Sequence, residues 1–354
     1  MTYHIYVTGT GFSGKTALCL GLYEKLLEKG LKVGYFKPVA RGQKMVNGRL
    51  HDPDAILMKE VMGLSEPLHL ISPVVFGDRY LDQLEKNGVE IYEKVMEAFH
   101  KISRDKDILL IESASLPEFL ASRNLDVSRL SKDFTAKVIF TVKGDEDQVV
   151  EKAILYKCFM ERTGGKMLGV VLNHVPFHQI ERMRGVVSSI LERNNLDVLG
   201  VVPDHRELTQ PTVRELVEIL DAEVLTGDDG LDALVDGYLI GAMTPESAMT
   251  WLRRSVGRAL ITGGDRTDLV LMALETRPSA IILTGNIYPP VRVLNTAEDK
   301  GIPVLLATSD TYSTVTKLEF LEGKIIPTPA STRKIQLTRQ IIGKHLDMKK
   351  ILNE

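Results

Sequence analysis

A glycine-rich stretch near the start of the chain constrains the fold most strongly. Residues 9–16 read GTGFSGKT and fit the phosphate-loop pattern G-x-x-x-x-G-K-[ST] at every fixed position. The run HIYVTG at 4–9 predicts a strand before the motif, and residues 15–29 predict an amphipathic helix after it. A phosphate loop requires this order of strand, loop and helix, so we predict an α/β domain built on a parallel sheet.

Short β-rich runs alternate with helical patterns through the first 205 residues. Several of these runs are apolar throughout, which is typical of parallel strands that are covered on both faces. We therefore predict a doubly wound parallel sheet, the P-loop NTPase fold, in residues 1–205. The predicted strands lie at 4–9, 32–39, 107–113, 137–142, 169–175 and 197–203.

A second, smaller α/β domain is predicted after residue 205. Thr212 and Glu215 have the spacing of a capping box and predict the start of a helix. Beyond it, apolar runs alternate with helical patterns. We place this domain at 206–330 and a basic helical tail at 331–354. The tail is expected to pack on either domain or on a partner chain. The predicted strands of this domain lie at 258–264, 280–286 and 303–309.

Composition excludes several classes of protein. A net charge of −3 gives no bulk attraction to nucleic acid or to an anionic membrane. Cys19 and Cys158 are too few for a disulfide framework. No apolar run approaches the roughly 18 residues that a membrane span needs. We expect a cytoplasmic protein without nucleic-acid or membrane partners, and the paired α/β domains with a basic tail favour a homo-oligomer.

The residues of the loop have separate predicted roles. Glycines allow successive backbone N–H groups to point at one anion, and the helix N-terminus adds partial positive charge. Lys15 is expected to reach the β- and γ-phosphates, and the Thr16 hydroxyl to bind Mg²⁺. The predicted cofactors are therefore ATP and Mg²⁺. The predicted nucleotide contacts in the loop are Gly11, Ser13, Gly14, Lys15, Thr16 and Ala17.

Acidic candidates for the metal follow from strand ends and nearby loops. Glu112 ends the run DILLIES, and Asp54 lies in a loop that opens a helix. Phosphate-bound Mg²⁺ usually takes one or two carboxylates. Asp52 and Asp54 have a second interpretation as helix N-caps. Lys37 closes the second predicted strand and either contacts a phosphate or anionic substrate or is a solvated lysine. The candidate catalytic residues are Lys15, Lys37 and Glu112.

These features, in this order, resemble the dethiobiotin synthetase-like branch of P-loop proteins. The segments that carry the resemblance are SGKT (13–16), FKPVARG (36–42), PDA (53–55), LIES (110–113), GVVLNHV (169–175) and LGVVPDHREL (199–208). The second half looks like a DRTGG domain, through GGDRTDLVLMALE (263–275), IILTGNIYPP (281–290) and VLLATSDTYSTV (304–315). The pair resembles the N-terminal region of long bacterial phosphotransacetylases and its free-standing relatives.

The resemblance implies roles for individual residues. Asp54 and Glu112 would help to bind the metal, and Lys37 would lie near substrate and phosphate. Asn173 would contact the adenine edge, and the segment near Pro203 would border the base. The residues that follow Asn173 differ from a guanine-reading motif, which favours ATP over GTP.

The segment after Glu112 departs from the family pattern. Dethiobiotin synthetases usually have glycines there, whereas residues 112–117 read ESASLP, which disfavours dethiobiotin synthesis. Because the chain ends at 354, we also expect no phosphotransacetylase activity. We predict an ATP-binding regulatory module that senses a nucleotide and a small anionic metabolite. The alternative is an ATP-dependent enzyme that activates a small carboxylate or amine, with weak ATPase or ligase activity.

Overall fold

The computed structural model describes residues 2–41, 44–46, 49–77, 80–144, 147–253, 256–319 and 332–353. The chain divides into two compact units. The first contains residues 1–205 and 335–354, and the second contains residues 206–334. The domain boundary predicted at 330 lies outside the described residues.

The first unit contains the phosphate loop. Its strands are β1 (Tyr3–Gly9), β2 (Val33–Phe36), β3 (Val39–Arg41), β4 (Lys44–Val46), β5 (Arg49–His51), β6 (Val74–Phe76), β7 (Ile108–Glu112), β8 (Lys137–Lys143), β9 (Lys166–Val175) and β10 (Val198–Pro203). Its helices up to residue 205 are α1 (Lys15–Glu28), α2 (Pro53–Met62), α3 (Leu68–Ile71), α4 (Tyr80–Ile102), α5 (Val127–Asp133), α6 (Gln148–Thr163), α7 (Ile180–Arg182) and α8 (Ser188–Arg193). A π-type turn at Met183–Val187 joins α7 to α8.

Six of these strands form one parallel sheet in the order β10-β9-β8-β1-β7-β2. β7 is buried along its whole length, as expected for an inner strand covered on both faces. This sheet confirms the predicted α/β fold. β1 lies between β8 and β7, so the phosphate loop leaves the middle of the sheet with strand ends on both sides.

One predicted strand is divided in the structure. The run expected at 32–39 ends at Phe36, and residues 39–41 form β3, which pairs with β6 outside the main sheet. Pro38 has no N–H group to donate to a neighbouring strand. The N–H of Lys37 donates to the carbonyl of Ile71 at 2.8 Å instead. The chain therefore leaves the main sheet at Lys37, close to the phosphate loop.

The second unit contains a smaller sheet. Its strands are β11 (Glu223–Thr226), β12 (Tyr238–Ile240), β13 (Ala259–Gly263), β14 (Ala280–Thr284) and β15 (Val304–Leu306). Its helices are α9 (Arg206–Thr209), α10 (Val213–Leu220), α11 (Pro245–Leu252), α12 (Thr267–Leu274), α13 (Val291–Asp299) and α14 (Thr311–Glu319). The strand order is β11-β15-β14-β13-β12, and only β11 pairs antiparallel. The capping box predicted for Thr212 and Glu215 is present at α10.

The end of the chain packs on the first unit through α15 (Thr332–Lys344) and α16 (Met348–Leu352). Arg339 forms an ion pair with Glu24 of α1. The Asp347 N–H donates to the carbonyl of Leu199 in β10 at 2.8 Å. The tail therefore packs against both the helix that follows the phosphate loop and the edge of the sheet. Among the described helices, none has the length and apolar character that a membrane crossing requires.

Candidate functional site

The phosphate loop joins β1 to α1 at the carboxyl edge of the parallel sheet. Gly14 is the N-cap of α1 and has a φ of 82°, which glycine adopts without steric penalty. Gly9 lies against β8, and a Cβ atom there would overlap the carbonyl oxygen of Thr141. Gly11, in contrast, borders open space. Gly14 is thus required by its backbone conformation and Gly9 by its close contact with β8. Gly11 lies where a ligand can approach.

Hydrogen bonds from two neighbouring strands brace the loop. The carbonyl of Ser13 accepts from Thr141 Oγ1 at 3.1 Å and from Asn173 Nδ2 at 2.9 Å. The Thr10 N–H donates to the carbonyl of Thr141 at 3.2 Å. The ends of β8 and β9 therefore hold the loop in one shape. A preformed loop reduces the entropy that a ligand must remove on binding.

Lys15 and Thr16 begin α1, and Ala17 follows them. Lys15 Nζ donates to the carbonyl of Thr10 at 3.3 Å, so its side chain folds back over the loop. Burial lowers the pKa of Lys15, and the carboxylate of Glu112 opposes that shift. Thr16 Oγ1 donates to Glu112 Oε1 at 2.9 Å. The structure thus brings the predicted metal ligands Thr16 and Glu112 together.

Three carboxylates surround Lys37, and we call these four residues the lysine cluster. Lys37 Nζ lies 2.9 Å from Asp52 Oδ1, 2.6 Å from Asp54 Oδ2 and 3.4 Å from Glu112 Oε1. Burial acts to lower the pKa of Lys37, but the three carboxylates raise it well above its ordinary value. The side chain is only 2% exposed, which rules out a solvated lysine at the strand end.

The two neighbouring aspartates of the cluster have different local roles. Asp52 is the N-cap of α2, and its Oδ1 accepts from the N–H of Ala55 at 3.1 Å. Burial raises the pKa of Asp52 to about 6, against the effect of Lys37. Asp54 lies in the first turn of α2 and bonds to Lys37. The capping interpretation therefore holds for Asp52, and Asp54 faces the site.

The fit of a magnesium ion depends on the oxygen donors Thr16, Asp54 and Glu112. A hydroxyl and two carboxylates are the hard ligands that Mg²⁺ prefers. Within the described part of the chain, no group of three or more His, Cys, Asp and Glu side chains is arranged to hold a metal ion. The donors therefore suit an ion that phosphate oxygens and water hold in large part.

Two residues of the site were missed or only partly understood from the sequence. The Tyr35 hydroxyl donates to Glu112 Oε2 at 3.0 Å from within a buried strand, where a tyrosine reads as core. Ser113 belongs to the segment that departs from the family pattern. Its Oγ lies 2.9 Å from Thr8 Oγ1, and Ser113 is buried. The position directly after Glu112 is thus occupied by a side chain, Ser113, that pairs with Thr8.

The residues predicted to border the base lie on the other side of the loop. Asn173 is buried at the end of β9 and holds the loop carbonyl described above. Pro203 ends β10 and lies opposite Val175 of β9. Contact of Asn173 and Pro203 with a nucleotide base remains a prediction.

Comparison with known families identifies both units. A model of an AAA domain matches residues 3–212, which is more than half of the chain. The chain belongs to this AAA domain family. A model of the DRTGG domain matches residues 215–321. The resemblance to P-loop proteins with a DRTGG domain is therefore confirmed, and the family and the loop geometry together support nucleotide binding.

Several similar curated proteins are named phosphate acetyltransferase. Phosphate acetyltransferase of Nitratidesulfovibrio vulgaris (strain Hildenborough) is 27% identical over 98% of this chain. The proteins of that name from Pseudomonas putida and Synechocystis sp. are 28% and 25% identical over 97% and 100% of it. The chain spans about half the length of these relatives, 51%, 50% and 52%.

These relatives correct one expectation. The expectation that the protein is not a phosphotransacetylase is wrong, because proteins named phosphate acetyltransferase match nearly all of this chain. That expectation was based on the end of the chain at residue 354. The position of a chain end carries no information about activity.

Two solved structures are similar to parts of this chain. The MinD cell division protein of Aquifex aeolicus is 19% identical, with a TM-score of 0.38 over 58% of this chain and 84% of its own. The CBS and DRTGG domains of the Clostridium perfringens pyrophosphatase regulatory region, complexed with diadenosine tetraphosphate, are 18% identical. That match has a TM-score of 0.30 over 40% of this chain and 72% of the other.

Proposed function

We propose that the first unit binds ATP with Mg²⁺, and that the protein is a nucleotide- and metabolite-sensing regulatory module of the phosphate acetyltransferase type. One observation carries the proposal: the phosphate loop is braced in place with Thr16 bonded to Glu112 at 2.9 Å. The N–H groups of residues 11–16 would surround the phosphates, and Lys15 would add a positive charge.

The charge balance of the lysine cluster supports a cation at the site. Three carboxylates face the one ammonium group of Lys37. The cluster therefore carries excess negative charge next to the loop that would hold the phosphates. A Mg²⁺ ion would offset that charge and the charge of the phosphates together. Thr16, Asp54 and Glu112 are the residues that would hold the ion.

Two features favour binding and sensing over phosphoryl transfer. A transferase needs a cation aimed at the transferred group. Lys37, the candidate for that task, instead forms ion pairs at 2.6 and 2.9 Å with Asp54 and Asp52. Next to it, Ser113 pairs with Thr8 where the resemblance leads us to expect open backbone for a substrate. The site thus supports a nucleotide-bound state more than a turnover state.

The second unit would supply the metabolite response. The segment that the DRTGG model matches lies within the part of this chain that is similar to the phosphate acetyltransferases. We propose that a small anionic effector, or self-association into a homo-oligomer, acts through this unit. Hydroxyl groups lie near its strand ends, and two exposed tyrosines, Tyr288 and Tyr312, lie in the segments that follow β14 and β15.

Calorimetric titration of Mg·ATP into the full chain tests the proposal. Lys15→Ala should weaken binding about tenfold or more, because it removes a charge-assisted contact to phosphate. Lys101→Ala, which removes an exposed lysine paired with Glu97, is the matched control and should bind as the wild type does.

Phosphate release measured in parallel separates the two candidate functions. We expect tight binding with no steady release of phosphate, alone or with small carboxylates and amines. Steady release that Glu112→Gln abolishes would replace the sensing role with the ATP-dependent enzyme. Failure of the wild type to bind ATP would overturn the proposal altogether.

A further inference from the structure

A cleft lies along the outer edge of the first sheet, where the tail crosses β10. Its volume is about 330 Å³, and its lining comes from the π-type turn before α8, residues 198–201 of β10 and residues 344–347 of the tail. The strand order places β10 three strands from β1, which is roughly 14 Å at about 4.8 Å per strand. The cleft also lies before Pro203, at which the base is expected. It is therefore separate from the proposed nucleotide site.

Backbone contacts hold the tail against β10. Leu346 bridges to Gly200 in antiparallel register, and the Asp347 N–H bonds to the carbonyl of Leu199. A Cβ atom added at Gly200 would lie 2.7 Å from the carbonyl oxygen of His345, which is closer than a side chain tolerates. Glycine at position 200 thus allows the tail to approach. The cleft is preformed, which reduces the entropy that a ligand must lose on binding.

Three basic side chains line this cleft. Arg184 comes from the π-type turn, and Lys344 and His345 come from the end of α15 and the position after it. Arg184 Nη1 lies 3.8 Å from Glu181 Oε1, which is a long ion pair. Within the described part of the chain, Lys344 forms no ion pair. The protein therefore compensates the positive charge of the cleft only in part.

The carboxylate of Asp347 also belongs to the lining of the cleft. Asp347 is the N-cap of α16, and its Oδ1 accepts from the N–H of Lys350 at 3.1 Å. This carboxylate thus serves the start of a helix, as an N-cap usually does. Three basic groups against one capping carboxylate leave the cleft suited to an anion.

The basic groups of the cleft also act on one another. Burial lowers the pKa of His345. Arg184, Lys344 and His205 add to that shift, because a positive charge nearby disfavours a second one. These side chains are therefore close enough to share one ligand. An anion bound among them would attract each of them and relieve their mutual repulsion.

The size and the lining of the cleft indicate the kind of anion. A volume of about 330 Å³ is at the lower end of the roughly 300–1,000 Å³ of small-molecule sites, so there is room beside a phosphate group. Arginine binds phosphate oxygens through two parallel N–H bonds, and lysine adds a point charge. Val198 and Val201 supply apolar surface. A small phosphate ester has a charged group for the basic side chains and a carbon body for the rest of the cleft.

We propose that Arg184, Lys344 and His345 bind the phosphate group of a small phosphate ester in this cleft. The inference goes beyond the proposed function, because it assigns a second ligand to the first unit and does not depend on ATP binding at the phosphate loop. It also gives the basic tail a role in ligand binding.

Calorimetric titration of glycerol 3-phosphate into the full chain tests the inference, with inorganic phosphate and glycerol as comparison ligands. We expect the ester to bind more tightly than inorganic phosphate, and glycerol not to bind. Arg184→Met and Lys344→Met remove a charge and keep an unbranched side chain. Each should weaken ester binding about tenfold, because a charge-assisted bond to phosphate is lost. His345→Gln, which keeps a hydrogen-bond donor, should weaken it about threefold.

Two control variants separate this cleft from other sites. Lys349→Ala removes an exposed lysine of α16 that is not part of the lining, and it should bind the ester as the wild type does. Lys15→Ala, in the phosphate loop, should also retain ester binding. The ester should raise the thermal unfolding midpoint of the wild type and of both controls, and raise it less in Arg184→Met.

The possible outcomes distinguish this inference from the proposed function. Wild-type protein that does not bind the ester at millimolar concentration, or unchanged affinity in both Arg184→Met and Lys344→Met, would overturn the inference. Loss of ester binding in Lys15→Ala would place the ester at the phosphate loop instead. Equal affinity for the ester and for inorganic phosphate would rule out an ester as the ligand. Ester binding without ATP binding would remove the proposed function and support this inference.

Discussion

The two main sheets of this protein both have polar side chains at the carboxyl ends of their parallel strands, but of different kinds. At the carboxyl edge of the first sheet, Lys37 is enclosed by carboxylates at 2.6, 2.9 and 3.4 Å. At the same edge of the second sheet, hydroxyl groups pair with each other. Thr284 meets Thr311 at 2.8 Å, and Ser309 meets Thr314 at 2.8 Å.

The two edges differ in whether their polar groups are compensated without a ligand. The hydroxyl pairs of the second edge satisfy one another, so that edge is stable without a ligand. The first edge carries three carboxylates against two ammonium groups, those of Lys37 and the neighbouring Lys15, beside a loop of N–H donors. Buried charge without full compensation is costly, and a bound cation would offset that cost. This difference in charge is the reason that we propose the first edge, and not the second, as the nucleotide site.

Removing the central charge should have the largest effect. Lys37→Met leaves three carboxylates, two of them buried, without their partner and should lower the free energy of unfolding by about 3–5 kcal/mol. Arg266→Met in the second unit removes a bond to the carbonyl of Met243 at 2.7 Å in an exposed setting. It should lower the free energy by less than about 1 kcal/mol. Urea denaturation of both variants measures the contrast, and equal effects would contradict it.

Matched glycines at the two edges should have the next largest effect. A Cβ atom at Gly9 would overlap the Thr141 carbonyl, and one at Gly264 would overlap the carbonyl of Ile287. Gly9→Ala and Gly264→Ala should each lower the free energy of unfolding by about 1–3 kcal/mol.

Nucleotide binding separates the two glycine variants. Gly9→Ala should also lose ATP binding in a calorimetric titration, because it displaces the start of the loop, and Gly264→Ala should retain it. Loss of ATP binding in Gly264→Ala would indicate that the nucleotide binds at the second sheet and would contradict the proposed site.

The hydroxyl pairs of the second edge should contribute less. Thr314 is buried and bonds to Ser309 and to the carbonyl of Asp310. Thr314→Val should lower the free energy of unfolding by about 1 kcal/mol. Thr316→Val, on the exposed face of the same helix, is the control and should change it by less than about 0.5 kcal/mol. A large loss of stability in Thr316→Val would contradict the expectation that burial determines how much each hydroxyl group contributes to the free energy of unfolding.

The sequence predicted the first edge better than the second. The loop at 9–16, the strand before it and Glu112 were recognised, because phosphate binding requires residue types at fixed spacing. Tyr35 was missed, since a buried strand tyrosine looks like core until its hydroxyl is seen to meet Glu112. Long-range pairing of this kind leaves no local pattern.

Short elements were the other gap. β11 and β12, of four and three residues, were not predicted. Runs of that length carry too little periodicity to be distinguished from loops. The enclosure of Lys37 by three carboxylates could not be predicted either, because it depends on how α2, β7 and the end of β2 meet in space.

The burial of Asp52 should also make stability depend on pH. Burial raises the pKa of Asp52 from its ordinary value of 3.8 to about 6. Between those values the folded state binds more protons than the unfolded state, so the contribution of Asp52 to the free energy of unfolding falls as pH rises. Wild-type protein should therefore lose more stability than Asp52→Asn between about pH 4 and about pH 7.

Asparagine retains the cap on α2 in that comparison. His4, whose pKa burial lowers, contributes with the opposite sign but equally in both proteins. Parallel stability curves for wild type and Asp52→Asn would contradict the assignment.

Hydrogen–deuterium exchange of the full chain with and without Mg·ATP tests the central claim most directly. We expect slower exchange on ATP addition in peptides that cover residues 9–18 and 171–177, where the loop and the end of β9 beside it lie. Peptides that cover residues 259–285 in the second unit should exchange at an unchanged rate. Protection confined to 259–285, or no protection at 9–18, would contradict the claim that the braced loop of the first sheet is the nucleotide site.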